Sequence, residues 1–197
     1  MEDNCKFEKM AVMERYQMQQ MITRNEKHIS VFLKVFIAVL ILSGLCYFSL
    51  PFLSKKILSF IDAFGIRGEL YSFAMKLIQA ANYNEAHYPF MGYSTDLLGF
   101  AHLTFALLFG GAVMDPNKNE WVIRFGLMVC VLLIPTVLLA GWVREIPIIW
   151  SVVNCFFGVF GFALLFKVFK MVKSNQELRK AIEELNQKKI TPEIRVA

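Results

Sequence analysis

Four apolar runs, each long enough to cross a bilayer, constrain this chain more than any other feature. They cover about residues 31–53, 96–114, 121–142 and 146–169. A hydrocarbon core about 30 Å thick needs about 20 apolar residues as an α-helix. Backbone groups in lipid must be satisfied within the segment, so each run is expected to be helical. None shows the polar–apolar alternation of a membrane strand. Hydrophobic residues make up 56% and charged residues 19%, with 19 Phe, against about 45–50% and about 25% in soluble domains. This composition excludes a disordered tail, a disulfide-stapled miniprotein and an ordinary nucleic-acid-binding module. The net charge of +5 is carried mostly beside apolar runs, where lipid headgroups supply the counter-charge. The expected fold is an all-α membrane protein. Its four transmembrane helices form an antiparallel bundle, with amphipathic helices at the cytoplasmic ends and in the long outer loop.

Three parts follow along the chain: a cytoplasmic amphipathic segment (1–30), the bundle (31–170, with an outer loop at 54–95), and a cytoplasmic helix and tail (171–197). The first run is not read as a cleavable signal, because a mostly polar segment precedes it and no small-residue cleavage site follows. Sixteen of the 21 Lys and Arg lie in or beside 1–30, the 115–120 turn and 171–197; the others are Lys55, Lys56, Arg67, Lys76 and Arg144. Positive charge marks the cytoplasmic side, so both termini are assigned there.

The connections carry further information. Asp115-Pro116-Asn117-Lys118-Asn119 is a tight polar turn, and Arg144-Glu145-Ile146-Pro147 is tighter still, with Pro147 suited to a first helical turn. Spans two, three and four are therefore expected to be antiparallel neighbours. In the outer loop, Ile57, Leu58, Phe60, Ile61 and Phe64 recur at helical spacing, Gly65 and Gly68 interrupt, and Leu70, Phe73, Ala74, Leu77 and Ile78 resume. Two short amphipathic helices fit this pattern; a loop packed over the outer mouth fits it equally. Phe7, Met10, Ala11, Met18, Met21 and Ile22 share a face near the N-terminus. Ser174-Asn175-Gln176-Glu177 reads as a capping box restarting a helix, with Leu178, Ile182 and Leu185 as its stripe and Pro192 as its stop. These ends pack on each other or on headgroups, or they dock a protein partner or a second copy.

No catalytic motif is present: there is no phosphate-binding glycine loop, HExxH or nucleophile elbow. Cys5, Cys46, Cys130 and Cys155 lack CxxC spacing, so no metal site is expected. Gly99, Gly110, Gly111, Gly126, Gly158 and Gly161 suit close helix contacts. Pro135 is expected to kink the third span, with Thr136 helping to satisfy the freed backbone. Polar groups inside spans are costly and have first claim on function. Tyr47, His102 and Asn154 reach similar depths by helical rise, beneath Asp96 and Arg144. Tyr47, Asp96, His102, Arg144 and Asn154 are thus the candidate ligand or proton site, His102 being the switchable acid–base group. Interhelical hydrogen bonding accounts for the same residues without a ligand. With a single intramembrane His, no haem or other cofactor is expected within one subunit.

The stretches Gly92-Tyr93-Ser94-Thr95-Asp96-Leu97-Leu98-Gly99-Phe100-Ala101-His102, Asp115 to Ile123, Arg144-Glu145-Ile146-Pro147 and Cys155-Phe156-Phe157-Gly158-Val159-Phe160-Gly161 resemble an uncharacterised family of small bacterial four-span inner-membrane proteins. The resemblance covers about residues 88–165. It implies the bacterial inner membrane as location and brings no activity with it. Where the family pattern has Gly after the Arg, this chain has Glu145.

Three roles from different classes are compatible with these features. The first is a non-enzymatic accessory, regulatory or scaffolding protein whose partners are membrane lipid and a protein or second copy at the cytoplasmic helices, with no nucleic acid. The second is a small transporter or channel subunit binding a ligand or proton in the outer half of the bundle. The third is an enzyme using His102 and Asp96 for proton transfer, the weakest because no second acid–base group lies at that depth. The charge asymmetry makes a direct prediction. A cysteine placed at Asn84 should react with an impermeant reagent from outside the cell, and one at Lys188 should not; the reverse labelling would overturn the orientation.

Overall fold

A computed structural model describes residues 2–48, 56, 63–65 and 67–194, with side chains described except at 2–11, 70 and 188–194. Five α-helices make up nearly all of it: α1 (Glu2–Phe48), α2 (Glu69–His87), α3 (Gly92–Met114), α4 (Glu120–Val143) and α5 (Ile148–Ile194), with a 3-10 turn at Pro89–Met91. No strand occurs among the described residues. Four of the helices, all but α2, are long and apolar enough to cross a membrane. The expected amphipathic helix through Ile57, Leu58, Phe60 and Ile61 lies outside the described residues. So do the side chains of Phe7, Met10 and Ala11.

The largest departure from expectation is continuity. α1 and α5 each run for 47 residues, or about 70 Å at 1.5 Å per residue. No boundary falls near residue 31 or 170, and α5 carries through Ser174 and Pro192 rather than restarting or stopping there. Neither Gly nor Pro interrupts residues 162–190, so the backbone ladder has no reason to break. Asn175 and Gln176 turn their side chains to neighbouring helices instead of capping. α2 likewise outruns its apolar stripe: Ala, Gln and Glu between residues 79 and 86 favour helix, and it ends just before Pro89.

Helix pairing also differs. α1 packs along both α3 and α5, α4 packs along α5, and α3 touches α4 much less extensively. The second and third spans are thus joined by a tight turn yet held mainly through other helices. Two glycines explain the α1–α3 approach. A Cβ added to Gly44 would stand 2.9 Å from the Gly99 carbonyl oxygen, and one on Gly99 would stand 2.9 Å from that of Gly44. Gly126, Gly158 and Gly161 also face close neighbours, whereas Gly110 and Gly111 have open space where a Cβ would be.

One continuous core joins the four long helices. It contains Ile29 and Leu33 of α1, Phe109 and Ala112 of α3, Val122, Ile123 and Cys130 of α4, and Leu165, Val168 and Val172 of α5. Most of these residues lie toward the end of the spans that carries both termini. The 115–119 turn belongs to the same end. Asp115 Oδ1 accepts from the Asn117 and Lys118 backbone N–H groups at 3.2 and 3.1 Å. Asn119 Nδ2 donates to the Gly111 and Asp115 carbonyls at 3.0 and 3.1 Å, closing the end of α3. α4 runs through Pro135 without interruption. Thr136 Oγ1 donates to the Leu132 carbonyl at 2.7 Å, one residue beyond the Val131 carbonyl that the proline leaves without its usual donor.

At the far end, α4 turns into α5 through a Schellman arrangement. The Ile146 N–H donates to the Gly141 carbonyl at 2.9 Å and the Glu145 N–H to the Trp142 carbonyl at 3.3 Å. This places Glu145 at φ 54°, the only non-glycine with positive φ among the described residues. A side chain in that left-handed conformation costs roughly 1–2 kcal/mol. Glu145→Gly should therefore raise unfolding stability by about 1 kcal/mol once glycine's larger unfolded-state entropy is subtracted. Reversible unfolding in detergent measures this; a stability equal to or below wild type would refute the turn geometry.

Candidate functional site

The structure brings together one pair from the polar layer at the end of the bundle away from the termini. Tyr47, near the end of α1, and His102, on α3, have ring centroids 5.2 Å apart and planes tilted by 39°. Close approach of their helices at Gly44 and Gly99 makes this contact possible, since both glycines lie three residues from the rings in sequence. Both side chains are half-buried. His102 Nδ1 lies 2.8 Å from the Leu98 carbonyl oxygen of its own helix, so the tautomer with a proton on Nδ1 donates there. Exchange with a ligand or proton would then fall to Nε2.

The other candidates stand apart from this pair. Asn154 is half-buried on α5 and donates from Nδ2 to the Trp150 carbonyl at 2.9 Å, one turn back in its own helix. Asp96 is exposed on the second turn of α3, and Arg144 is exposed where α4 ends. Thr104 follows the same inward habit as His102 and Asn154, donating to the Phe100 carbonyl at 2.9 Å. An intramembrane polar side chain that satisfies itself on the preceding turn needs no neighbouring helix. The groove at this end, about 700 Å³ between α4 and α5, is lined by Leu138, Gly141, Trp142, Val143, Glu145, Ile146, Ile148 and Ser151. None of the five candidates lines it. Phe73 of α2 rests against Trp150 at 5.6 Å, which seats α2 beside the start of α5.

A denser polar cluster lies at the opposite end. Glu120, with its side chain 15% exposed, receives Arg124 Nη2 at 2.6 Å and Lys173 Nζ at 3.0 Å on Oε1. Gln176 Nε2 donates to Oε2 at 2.8 Å. Asp115, in the turn just before α4, takes no part in this cluster and faces Lys118 at 3.5 Å. The backbone N–H of Lys118, chiefly, holds the Asp115 carboxyl below its ordinary value, with the Lys118 ammonium adding to the effect.

Beyond the spans, α1 and α5 are stitched together by Arg15 Nη1 to Asn186 Oδ1 at 2.8 Å, Glu26 to Arg179 at 2.8 Å, and Asn25 Nδ2 to Asn175 Oδ1 at 2.9 Å. Asn175 is only 1% exposed, and its Nδ2 has no acceptor. These contacts were missed because each looked like an ordinary polar residue. The available signal was heptad spacing through Arg15, Met18, Ile22, Asn25, Ile29, Phe32 and Phe36, which places Asn25 on the packed face. Leu178, Ile182 and Leu185 are half-buried on the matching stretch of α5.

No group of three or more His, Cys, Asp and Glu among the described residues is arranged to hold a metal ion. No family model matches the chain, and neither a curated protein nor a solved structure matches it.

The two polar clusters should respond differently to truncation. His102→Ala removes one bond within its own helix and one ring contact, so the loss should stay near the average of about 0.6 kcal/mol for membrane hydrogen bonds. Glu120→Ala strips the shared acceptor from Arg124, Lys173 and Gln176 and should cost about 2 kcal/mol. Thermal unfolding of both variants decides, and the opposite ranking would show that the layer around His102 carries the structure.

Proposed function

We propose that this chain is a small non-enzymatic integral membrane protein with an accessory, regulatory or scaffolding role. In this reading it sits in the bacterial inner membrane as an antiparallel bundle with both termini in the cytoplasm. The observation that carries it is the paired extension of α1 and α5 beyond the core. Val12, Met13, Tyr16 and Met21 are 54%, 61%, 58% and 43% exposed there. Large apolar side chains grouped in water mark a contact surface, and methionine adapts to partners of differing shape. The in-span polar groups fit the same reading, since His102, Thr104, Thr136 and Asn154 all bond within their own helices.

A second reading, a small transporter or channel subunit, is favoured by the Tyr47–His102 contact alone. Crosslinking in native membranes from residue 13 or 16 tests the first reading. One defined protein or a second copy should be trapped, and Met13→Glu with Tyr16→Glu should abolish the crosslink without lowering expression. If nothing is trapped, and the purified chain alone gives solute or proton flux in liposomes that His102→Ala abolishes, the transporter reading replaces it.

A further inference from the structure

The groove between α4 and α5 holds about 700 Å³, within the range of about 300–1,000 Å³ usual for small-ligand sites. Its floor is open because residue 141 is glycine: a Cβ there would collide with Ser151 Oγ. Leu138, Val143, Ile146 and Ile148 supply apolar walls, with Val143 67% and Ile148 71% exposed. α4 ends at Val143 and α5 begins at Ile148, and both helices are long and apolar enough to cross a membrane. In a bilayer the groove therefore lies where hydrocarbon gives way to headgroups.

Three polar side chains line it. Glu145 is exposed and enters no ion pair among the described residues. Ser151 is only 4% exposed, yet its hydroxyl makes no hydrogen bond among the described residues. Trp142 carries an indole N–H. One anionic acceptor thus stands with two uncharged donors beside an apolar trough, and this set discriminates among amphiphiles. An anionic head would meet the Glu145 carboxylate with no cation in the lining to offset it. A simple alkylamine would satisfy Glu145 and leave both donors without acceptors. A quaternary ammonium has no N–H to give the carboxylate. A primary ammonium next to phosphate and ester oxygens serves all three groups.

The backbone supplies an independent observation. Glu145 sits at φ 54°, where glycine would be less strained. The carboxylate is therefore held at the groove against the local preference of the chain, and strain of this kind collects at ligand sites.

We propose that this groove binds a phospholipid of the phosphatidylethanolamine type. Glu145 accepts from its primary ammonium, Ser151 and Trp142 donate to its phosphate and ester oxygens, and an acyl chain lies along Leu138, Val143 and Ile148. The inference rests on the chain spanning a membrane and is independent of any accessory role. Membrane placement is tested separately, by whether the chain resists carbonate extraction.

The full-length protein in mild detergent is titrated with phosphatidylethanolamine, phosphatidylcholine, phosphatidylglycerol or dodecylamine, reading the thermal midpoint and bound lipid by native mass spectrometry. Phosphatidylethanolamine should raise the midpoint at the lowest concentration. In E145Q its half-saturating concentration should rise at least about tenfold, as expected from losing a charge-assisted hydrogen bond. E145G should melt higher than wild type without lipid and yet lose the response to phosphatidylethanolamine, a combination that a purely structural role for Glu145 would not produce. The control E85Q, which removes one exposed acid from α2, should bind like wild type. Unchanged affinity in E145Q, equal loss in E85Q, or an equal response to any of the other three amphiphiles would each overturn the proposal.

Discussion

The antiparallel contact of α1 with α5 sets Ile29 and Leu33 among Leu165, Val168 and Val172, and the remaining helices are built onto that pair. α3 joins through α1 and α4 through α5, while α3 and α4 share far less surface with each other. Phe109 reaches from α3 into the common core, its ring meeting Phe36 edge-on at 4.8 Å and 63°. It also approaches Gly126 of α4, where any Cβ would collide with it. Lipid tails are as apolar as leucine, so inside the bilayer such contacts are held by close packing rather than by escape from water. Most of the core lies toward the end that carries both termini. The Asn25–Asn175 bond sits within the same interface. Any slip of α1 along α5 would break it and leave the Asn175 amide, 1% exposed, without its partner, so it fixes register.

Different rules govern the two polar levels. In the spans, His102, Thr104, Thr136 and Asn154 bond to carbonyls four residues earlier, which removes the cost of a polar group in hydrocarbon without committing it to a neighbour. At the end carrying the termini, Glu120, Lys173 and Gln176 bond across helices, where water and headgroups can hydrate whatever the pairing leaves over. Cross-helix hydrogen bonds and ion pairs are concentrated at the end carrying the termini, while the far end relies on close packing such as that of Gly44 against Gly99.

Much of this was legible in the sequence. Four apolar helices follow from run length, and the 115–119 turn from its Pro, Asp and Asn. Helical rise put Tyr47 and His102 at one level, and their rings meet there. It could not place Asn154 with them, because rise gives level and not azimuth, and nothing local reveals which helix α5 faces. The expectation that short turns make neighbours holds only in part for α3 and α4, which meet at Phe109 and Gly126 but share far less surface than α1 and α3, whose glycines Gly44 and Gly99 allow a closer approach. A capping box at Ser174 misled for a related reason. Its residues can serve a helix start or a helix interior, and tertiary partners for Asn175 and Gln176 decided in favour of the interior.

Continuity of α1 and α5 has a mechanical consequence. Each is a single rod from beyond the core to the far side of the bundle, and the two are pinned at several levels so that neither can slide alone. Residues 12–30 extend about 30 Å at helical rise, so a tilt of about 10° where the rod leaves the bundle would swing its tip by about 5 Å. The same rigid body carries Tyr47 toward the other end. Force applied to the tip would therefore be carried along one unbroken helix toward the level of the aromatic contact with His102.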